Sequence, residues 1–487
     1  MFISVENTNQ KFLIREILEN GGIRVRKEPF NASLYLKSKD DNDGIAFKTG
    51  APLKEFKFES NSEFYEFKQK FESSGVYGDI NPIFQFLSNY NTNDELLKYL
   101  NPWSIDIEVY ATGEFPTVER SHKFPIVAIT VGDMLRDKYY SFVYDINGKL
   151  TLESKEDWQI NVYDSEKKML NDFLDFWKSN LRKIHLITGW NSEVYDIPYI
   201  VTRLFHIFED ENKAKMLSPF NYIQEKRGFG KAGKTYKIMG LPHLDYLKIF
   251  KKFNFQPRSS YSLENIAQDE LGYGKLDHSE YGSFANFYNK NINKYIEYNF
   301  KDVKLIKELD DKFKYISLAV TIALLCNINY ENVMSPIKCW EGILYNKLKK
   351  ENIVIPLRII KRKESYMGAF VADPLKGLQK DIISYDLTSL YPSVIRALNC
   401  SPETLIEFEK DENATIESFL NGYIPTESHK QNRITDAAGN IYSKDKVGII
   451  PILMKEIFIQ RKFFQKIARD KAKELDKLKR ELKELIL

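Results

Sequence analysis

The first residues whose types and spacing suggest chemistry are the carboxylates of Trp103-Ser-Ile-Asp106-Ile-Glu108-Val-Tyr110. Strand alternation sends Trp103, Ile105, Ile107 and Val109 to one face and Asp106 and Glu108 to the other. Two carboxylates on one strand face repel each other unless a cation lies between them. A run this apolar predicts a central strand, where unpaired charge is costly; a solvated face on an edge strand is the alternative. Asp196 follows at the end of a second apolar run, Ile184-His-Leu-Ile-Thr-Gly-Trp190. It reads equally as a site residue at a strand end and as a helix N-cap ahead of Pro198. Tyr298 and Asp302 are four apart on a helical segment and share one face, a turn from each other. Taken alone, they also read as a surface aspartate beside a half-buried tyrosine. Together Asp106, Glu108, Asp196 and Asp302 offer four hard oxygen donors, enough for two divalent cations. Such a pair suits phosphodiester hydrolysis, one ion lowering the pKa of the attacking water and the other stabilising the leaving oxygen. Tyr298 is placed to orient that water.

A second candidate is Ile382-Ile-Ser-Tyr-Asp386-Leu-Thr-Ser-Leu-Tyr391-Pro-Ser-Val-Ile395. It predicts an apolar strand ending at Asp386, then a tight turn into a helix. Backbone N–H groups exposed at such a turn suit phosphate oxygens, beside a carboxylate able to hold a cation. The alternative is an ordinary strand-to-helix connection capped by Asp386 or Thr388.

The elements that must position these residues read as α/β. Strands are expected at Ser104–Tyr110, Phe124–Val131, Lys138–Tyr144 and His185–Gly189, a helix at Lys167–Ser179, and long helices over 290–325. Residues 1–100 mix short strand-like runs with polar turns, and a second strand-and-turn region spans about 355–460. At 487 residues, two to four domains are expected. Three scattered cysteines and six histidines argue against disulfide scaffolds and Cys/His zinc sites. The apolar run Ile316–Cys326 is too short to span a bilayer and the start lacks a signal-peptide core, so an intracellular soluble protein is expected. The net charge of +3 is uneven: residues 461–487 carry ten Lys/Arg against five Asp/Glu, leaving −2 for the first 460. That last segment reads as one charged helix with a seam of Leu475, Leu478, Leu482 and Leu485, which calls for a partner helix.

The ordered set Asp106-Ile-Glu108, Asn191 to Asp196 and Tyr298-x-x-x-Asp302 resembles the three motifs of the DnaQ-like 3′-5′ exonuclease domain of family B DNA polymerases. Asp386-x-x-Ser-Leu-Tyr-Pro-Ser is similar to motif A of the same family, and Tyr261-Ser-Leu-Glu264 and Ser401-Pro-Glu-Thr404 bring the likeness close to polymerases of T-even-like bacteriophages. The resemblance implies an α/β multidomain chain. Residues 1–100 would be a mixed, β-rich N-terminal domain with 315–357 packing back on it, and 101–314 an RNase H-like (DnaQ-like) exonuclease domain. Residues 358–446 would be a partial palm and 447–487 the first fingers helix. It implies Mg2+, two ions per site with Mn2+ possible, as cofactor. Asp386 and the Leu387 carbonyl would bind metal. Ser389 and Leu390 would offer N–H groups to the triphosphate, Tyr391 would pack under the deoxyribose, and Arg461 would grip phosphate. Tyr366, Gly368 and Ala369 match an element touching template DNA.

The family's second fingers helix, second palm aspartate and thumb have no counterpart after Asp386. The expectation is therefore the N-terminal subunit of a split DNA-directed DNA polymerase in the host cytoplasm, with no membrane association. Its partners would be primer-template DNA, single-stranded 3′ ends, dNTP, a second chain carrying the remaining fingers, palm and thumb, and a sliding clamp through that chain. With one palm aspartate, this chain alone is not expected to polymerise. The alternatives are a truncated polymerase retaining only exonuclease activity, and a non-catalytic scaffold that binds primer-template through basic surface such as Lys361-Arg-Lys363.

Overall fold

The computed structural model describes residues 1–90, 93–227, 233–357, 373–425 and 432–486. The chain divides into two units, Met1–Ile45 with Pro52–Arg358, and Ala46–Ala51 with Ile359–Leu487.

The first unit opens with an antiparallel sheet of β1 (Phe2–Asn7), β2 (Lys11–Ile17) and β3 (Ile23–Pro29). β4 (Ala32–Lys37), β5 (Gly44–Ala46) and β6 (Pro52–Phe58) belong to a second sheet. Two helices follow, α1 (Asn61–Lys70), capped by Ser60, and α2 (Pro82–Leu87), capped by Asn81.

The central sheet contains β7 (Pro102–Val109), β8 (Ile126–Asp133), β9 (Lys138–Tyr144), β10 (Trp158–Tyr163) and β11 (Leu186–Thr188), in the order β10-β9-β8-β7-β11. The β7–β8–β9 meander is antiparallel, while β10 and β11 pair in parallel with β9 and β7. α3 (Glu166–Asn180) and α4 (Asp196–Phe208) cover one face, where Phe173, Trp177, Ile200 and Leu204 share a core with Trp103, Ile105 and Ile107 of β7. Next come α5 (Glu211–Lys215), the hairpin β12 (Ile223–Arg227) and β13 (Lys234–Ile238), α6 (Tyr246–Phe253) and α7 (Leu263–Leu271). The other sheet face receives α8 (Phe284–Lys290) and α9 (Ile292–Phe313), with Phe287, Tyr295 and Tyr298 against Val127, Ala128 and Val143. α9 starts where Asn291 accepts the Lys294 N–H, and its buried stripe from Ile292 to Leu309 recurs at three and four residues.

Lys314, in the left-handed region, ends α9 and turns the chain into α10 (Tyr315–Cys326), then α11 (Pro336–Lys350) and the short edge strand β14 (Ile353–Val354), which pairs with β5. Residues of α10 and the segment after it share one core with β1 and β2. Asn329 brackets Val5 through both amide atoms, accepting its N–H at 3.0 Å and donating to its C=O at 2.7 Å. Arg15 of β2, 1% exposed, donates to the carbonyls of Gly240, Leu181 and Ile184 at 2.7, 2.6 and 2.9 Å, tying the N-terminal sheet to the connection between α3 and β11 and to the turn after β13.

The second unit holds α12 (Leu390–Ala397), β15 (Leu405–Lys410), α13 (Ile416–Leu420), β16 (Arg433–Thr435), β17 (Asn440–Ser443) and the 38-residue α14 (Ile449–Ile486). The strands form a small antiparallel sheet in the order β15-β17-β16. Asn399 organises its junction, donating to Ser443 and Lys446 carbonyls and accepting the Gly448 N–H. The strand expected at Ile382–Asp386 does not form: residues 382–387 belong to no strand, and Ile382, Ile383 and Tyr385 are exposed. Apolar periodicity cannot make a strand without a neighbour to pair with, and no described strand lies beside this one. Among the described residues, no helix is long and apolar enough to cross a membrane.

Candidate active site

β7 brings its two carboxylates to the α9 side of the sheet while its apolar residues face α3 and α4. Asp106 lies opposite Thr130 and Glu108 opposite Ala128, small β8 partners that leave the carboxylates clear. Asp196 arrives from β11, which runs parallel to β7. Its Oδ1 accepts the Ile107 N–H at 3.0 Å, on the peptide between the two strand carboxylates. This close approach depends on Gly189, where a Cβ would sit 2.6 Å from the Ile105 carbonyl. Asp196 is the first residue of α4, with Tyr195 in the capping position, so its carboxylate is spent on β7 rather than on its own helix.

α9 completes the cleft. Tyr298 and Asp302 are 6% and 4% exposed, which removes the surface alternative. Carboxylate oxygens of Asp106, Glu108 and Asp302 all lie within 4.8 Å of one another. Asn299 donates to Asp106 Oδ2 at 2.7 Å, and the Tyr295 hydroxyl donates to Glu108 Oε2 at 3.3 Å. Lys275, on the loop after α7, inserts its ammonium between Asp302 Oδ2 at 2.5 Å and the Tyr298 hydroxyl at 3.0 Å. Sequence reading missed these three residues. Asn299 and Tyr295 neighbour Tyr298 on the helix, so helical spacing carried a signal for them; Lys275, 27 residues from Asp302, had none.

Crowding leaves an electrostatic mark. Burial, reinforced by the neighbouring acids, raises Asp106 well above the carboxylate range and Glu108 to about 8. Burial raises Asp196 to about 7, opposed by the Ile107 N–H, and Asp302 to about 6, opposed by Lys275. Such a cluster favours a cation that neutralises several acids at once. The donor set fits a hard divalent ion: all ligand atoms are oxygen, and the buried Asp302 Oδ1 has no hydrogen-bond partner in the protein.

The second unit presents a different picture. Asp386 is exposed, Leu387 is 68% exposed and Tyr391 is 74% exposed. Ser389, at φ +53°, occupies the position before α12 without a side-chain cap, and neither Asp386 nor Thr388 caps the helix. Arg461 of α14 donates to Ser389 Oγ at 3.1 Å, so two residues singled out for nucleotide binding meet. Tyr366, Gly368 and Ala369, and the basic run 361–363, lie outside the described residues. Among the described residues, Asp106, Glu108 and Asp302 form the one cluster of three possible ligands.

Comparison with known proteins gives two family matches. Residues 81–266 match DNA polymerase family B, exonuclease domain, and residues 336–485 match DNA polymerase family B. The DNA-directed DNA polymerase of Escherichia phage RB69 is 30% identical over 494 residues, covering 95% of this chain and 53% of the relative. That of Enterobacteria phage T4 is 31% identical over 495 residues, covering 96% and 54%. The DNA polymerase delta catalytic subunit of Candida albicans is 26% identical over 396 residues, covering 78% and 36%. The chain thus spans about half the length of the two phage relatives.

Proposed function

For a chain that belongs to DNA polymerase family B and carries that family's exonuclease domain, we propose hydrolytic removal of nucleotides from single-stranded 3′ ends of DNA. Asp106, Glu108, Asp196 and Asp302 would hold two divalent cations, Mg2+ or Mn2+. The observation that carries this reading is the convergence of three carboxylates within 4.8 Å beside an unpartnered, buried Asp302 oxygen. When bound, the cations supply an activated water near neutral pH and charge compensation at the leaving oxygen. The remaining tasks fall to the protein. Asn299 and Tyr295 fix the strand carboxylates from the α9 side. Lys275 keeps Asp302 ionised and donates to the Tyr298 oxygen, which leaves the phenolic proton free to orient water. Phe115, 72% exposed on the loop after β7 and 6.4 Å from the Tyr195 ring, offers an apolar face on which a frayed base can stack. Incubating the purified chain with a 5′-labelled single strand and Mg2+ or Mn2+ should give a ladder of shortened products. An unchanged 3′ end with both metals overturns the reading.

The second unit fits half of a nucleotidyl-transfer site, completed by a second chain with the remaining fingers, palm and thumb. Asp386 and the Leu387 carbonyl would bind metal; Ser389, Leu390 and Arg461 would receive the triphosphate, and Tyr391 the sugar. Support comes from the Arg461–Ser389 contact and from the uncovered apolar side chains around Asp386. Mixing with such a partner should restore primer extension that Asp386→Ala abolishes. Extension by the chain alone refutes the two-chain reading.

A further inference from the structure

The Asp196 carboxylate reaches β7 from the turn after β11, and that turn is gripped from behind by the segment entering α6. Asp245, 2% exposed, accepts four backbone N–H groups. Its Oδ1 takes those of Asn191 at 3.2 Å, Leu247 at 3.0 Å and Lys248 at 3.4 Å, and its Oδ2 that of Glu193 at 3.0 Å. Two of these bonds cap α6; the other two hold the turn. Beside them, Ser192 Oγ and His243 Nε2 lie 2.8 Å apart. The gripping segment is itself sewn to β11: Ile187 N–H donates to Pro242, Leu244 N–H to Ile187, and Tyr246 N–H to Gly189, at 2.9, 3.0 and 2.8 Å.

By type, Ser192, His243 and Asp245 make a hydrolytic triad, but Ser192 is 0% exposed and no substrate can reach its hydroxyl. The cluster has a mechanical task instead. Asn191 takes φ +65°, a left-handed conformation that persists only where its surroundings enforce it. Ser192 in turn accepts the Ile197 N–H at 3.0 Å, so the first turn of α4 hangs from a clamped residue. That turn begins with Asp196.

We infer that Asp245, with the His243–Ser192 pair, is the positioning unit for Asp196: it sets where that carboxylate meets the Ile107 N–H and the other ligands. This rests on the reading of Asp196 as a metal ligand. Asp245→Asn keeps one oxygen for the α6 cap and puts an amide donor opposite the Glu193 N–H. Titrating Mn2+ into the full chain by calorimetry should show about tenfold weaker binding for this variant. In 3′-end shortening, kcat should fall and recover at raised Mn2+, with KM for the DNA within about twofold, a split that loss of fold would not give. Ser192→Ala should weaken Mn2+ binding about threefold. Lys248→Ala removes the ion pair with Glu193 and a nearby positive charge from Asp245 and His243 but keeps every clamp hydrogen bond, and should change binding less than about twofold. The inference is overturned if Asp245→Asn binds Mn2+ like the parent, or no more weakly than Lys248→Ala. Where Asp245→Asn does not yield folded protein, Ser192→Ala decides by the same readouts. Asp196→Ala separates the two claims: if it leaves Mn2+ affinity intact, the ligand reading fails; if it weakens binding while Asp245→Asn does not, the positioning unit alone fails.

Discussion

The two carboxylate-bearing regions differ in what surrounds their charges. Around Asp106 the chain supplies a sheet, two helices and a loop lysine, and each acid has a named protein partner: Asn299, Tyr295, the Ile107 N–H or Lys275. Around Asp386, Ile382, Ile383, Tyr385 and Leu387 stand 68–89% exposed. Buried charge is tolerated only where partners are in place, so a covered cluster marks a site the chain can assemble by itself. Around Asp386 the apolar side chains stand in solvent, and no comparable set of partners surrounds the carboxylate among the described residues.

The sharpest way to break this comparison is to remove one acid from each region. Asp106→Ala should lower 3′-end shortening by at least about 10³-fold through loss of metal-borne charge stabilisation, and Asp386→Ala should leave it within about twofold. Equal loss from both would merge the two sites. Stability offers the next contrast. Phe173→Ala, in the core beneath β7, should cost about 3–5 kcal/mol, whereas Phe463→Ser on α14, 60% exposed, should stay within about 0.5 kcal/mol. Urea unfolding followed by tryptophan fluorescence reads the first unit, which contains all five tryptophans, and calorimetry of the whole chain reads the second. Lys275→Met keeps the stem and deletes the ammonium. It should slow shortening by about 10- to 100-fold, the range for a group that orients ligands without binding substrate. Unchanged kinetics would reduce Lys275 to a surface lysine.

The smallest effect concerns pH. Burial, with Arg15 and Arg136 nearby, lowers His185 to about 3, and its Nδ1 accepts the Asn101 N–H at 3.0 Å, a bond only neutral imidazole can make. The folded state therefore binds fewer protons than the unfolded chain, whose histidine titrates near about 6.5. Its contribution is complete above that pH and is lost as pH falls towards 3. Between pH 7.5 and 5.5 the first unit should lose about 1.4 kcal/mol from this group, and His185→Asn should flatten that dependence.

Legibility divides along chemical lines. The one-face placement of Asp106 and Glu108 was readable because strand periodicity is local, and the α9 pair because four residues make one helical turn. The same reasoning failed at Ile382–Asp386, since a strand exists only against a neighbour. It left Asp196 between two readings because its role depends on a contact with Ile107 across 89 residues. Lys275 was invisible for the same reason, and the two N–H groups that Asp245 takes from the Asn191–Glu193 turn, more than fifty residues away, carry no sequence signature.

What the amino-acid order determined by itself is therefore an inventory and a set of local faces: which oxygens exist, which of them share a strand side or a helical turn, and which family the motifs resemble. Tertiary structure alone decided that three acids come within 4.8 Å, that a lysine joins them, and that Asp386 stays uncovered. Periodicity is set by covalent geometry over a few residues, while burial and ion pairing follow from packing between segments hundreds of residues apart, where one hydrogen bond or one missing Cβ settles which charges meet.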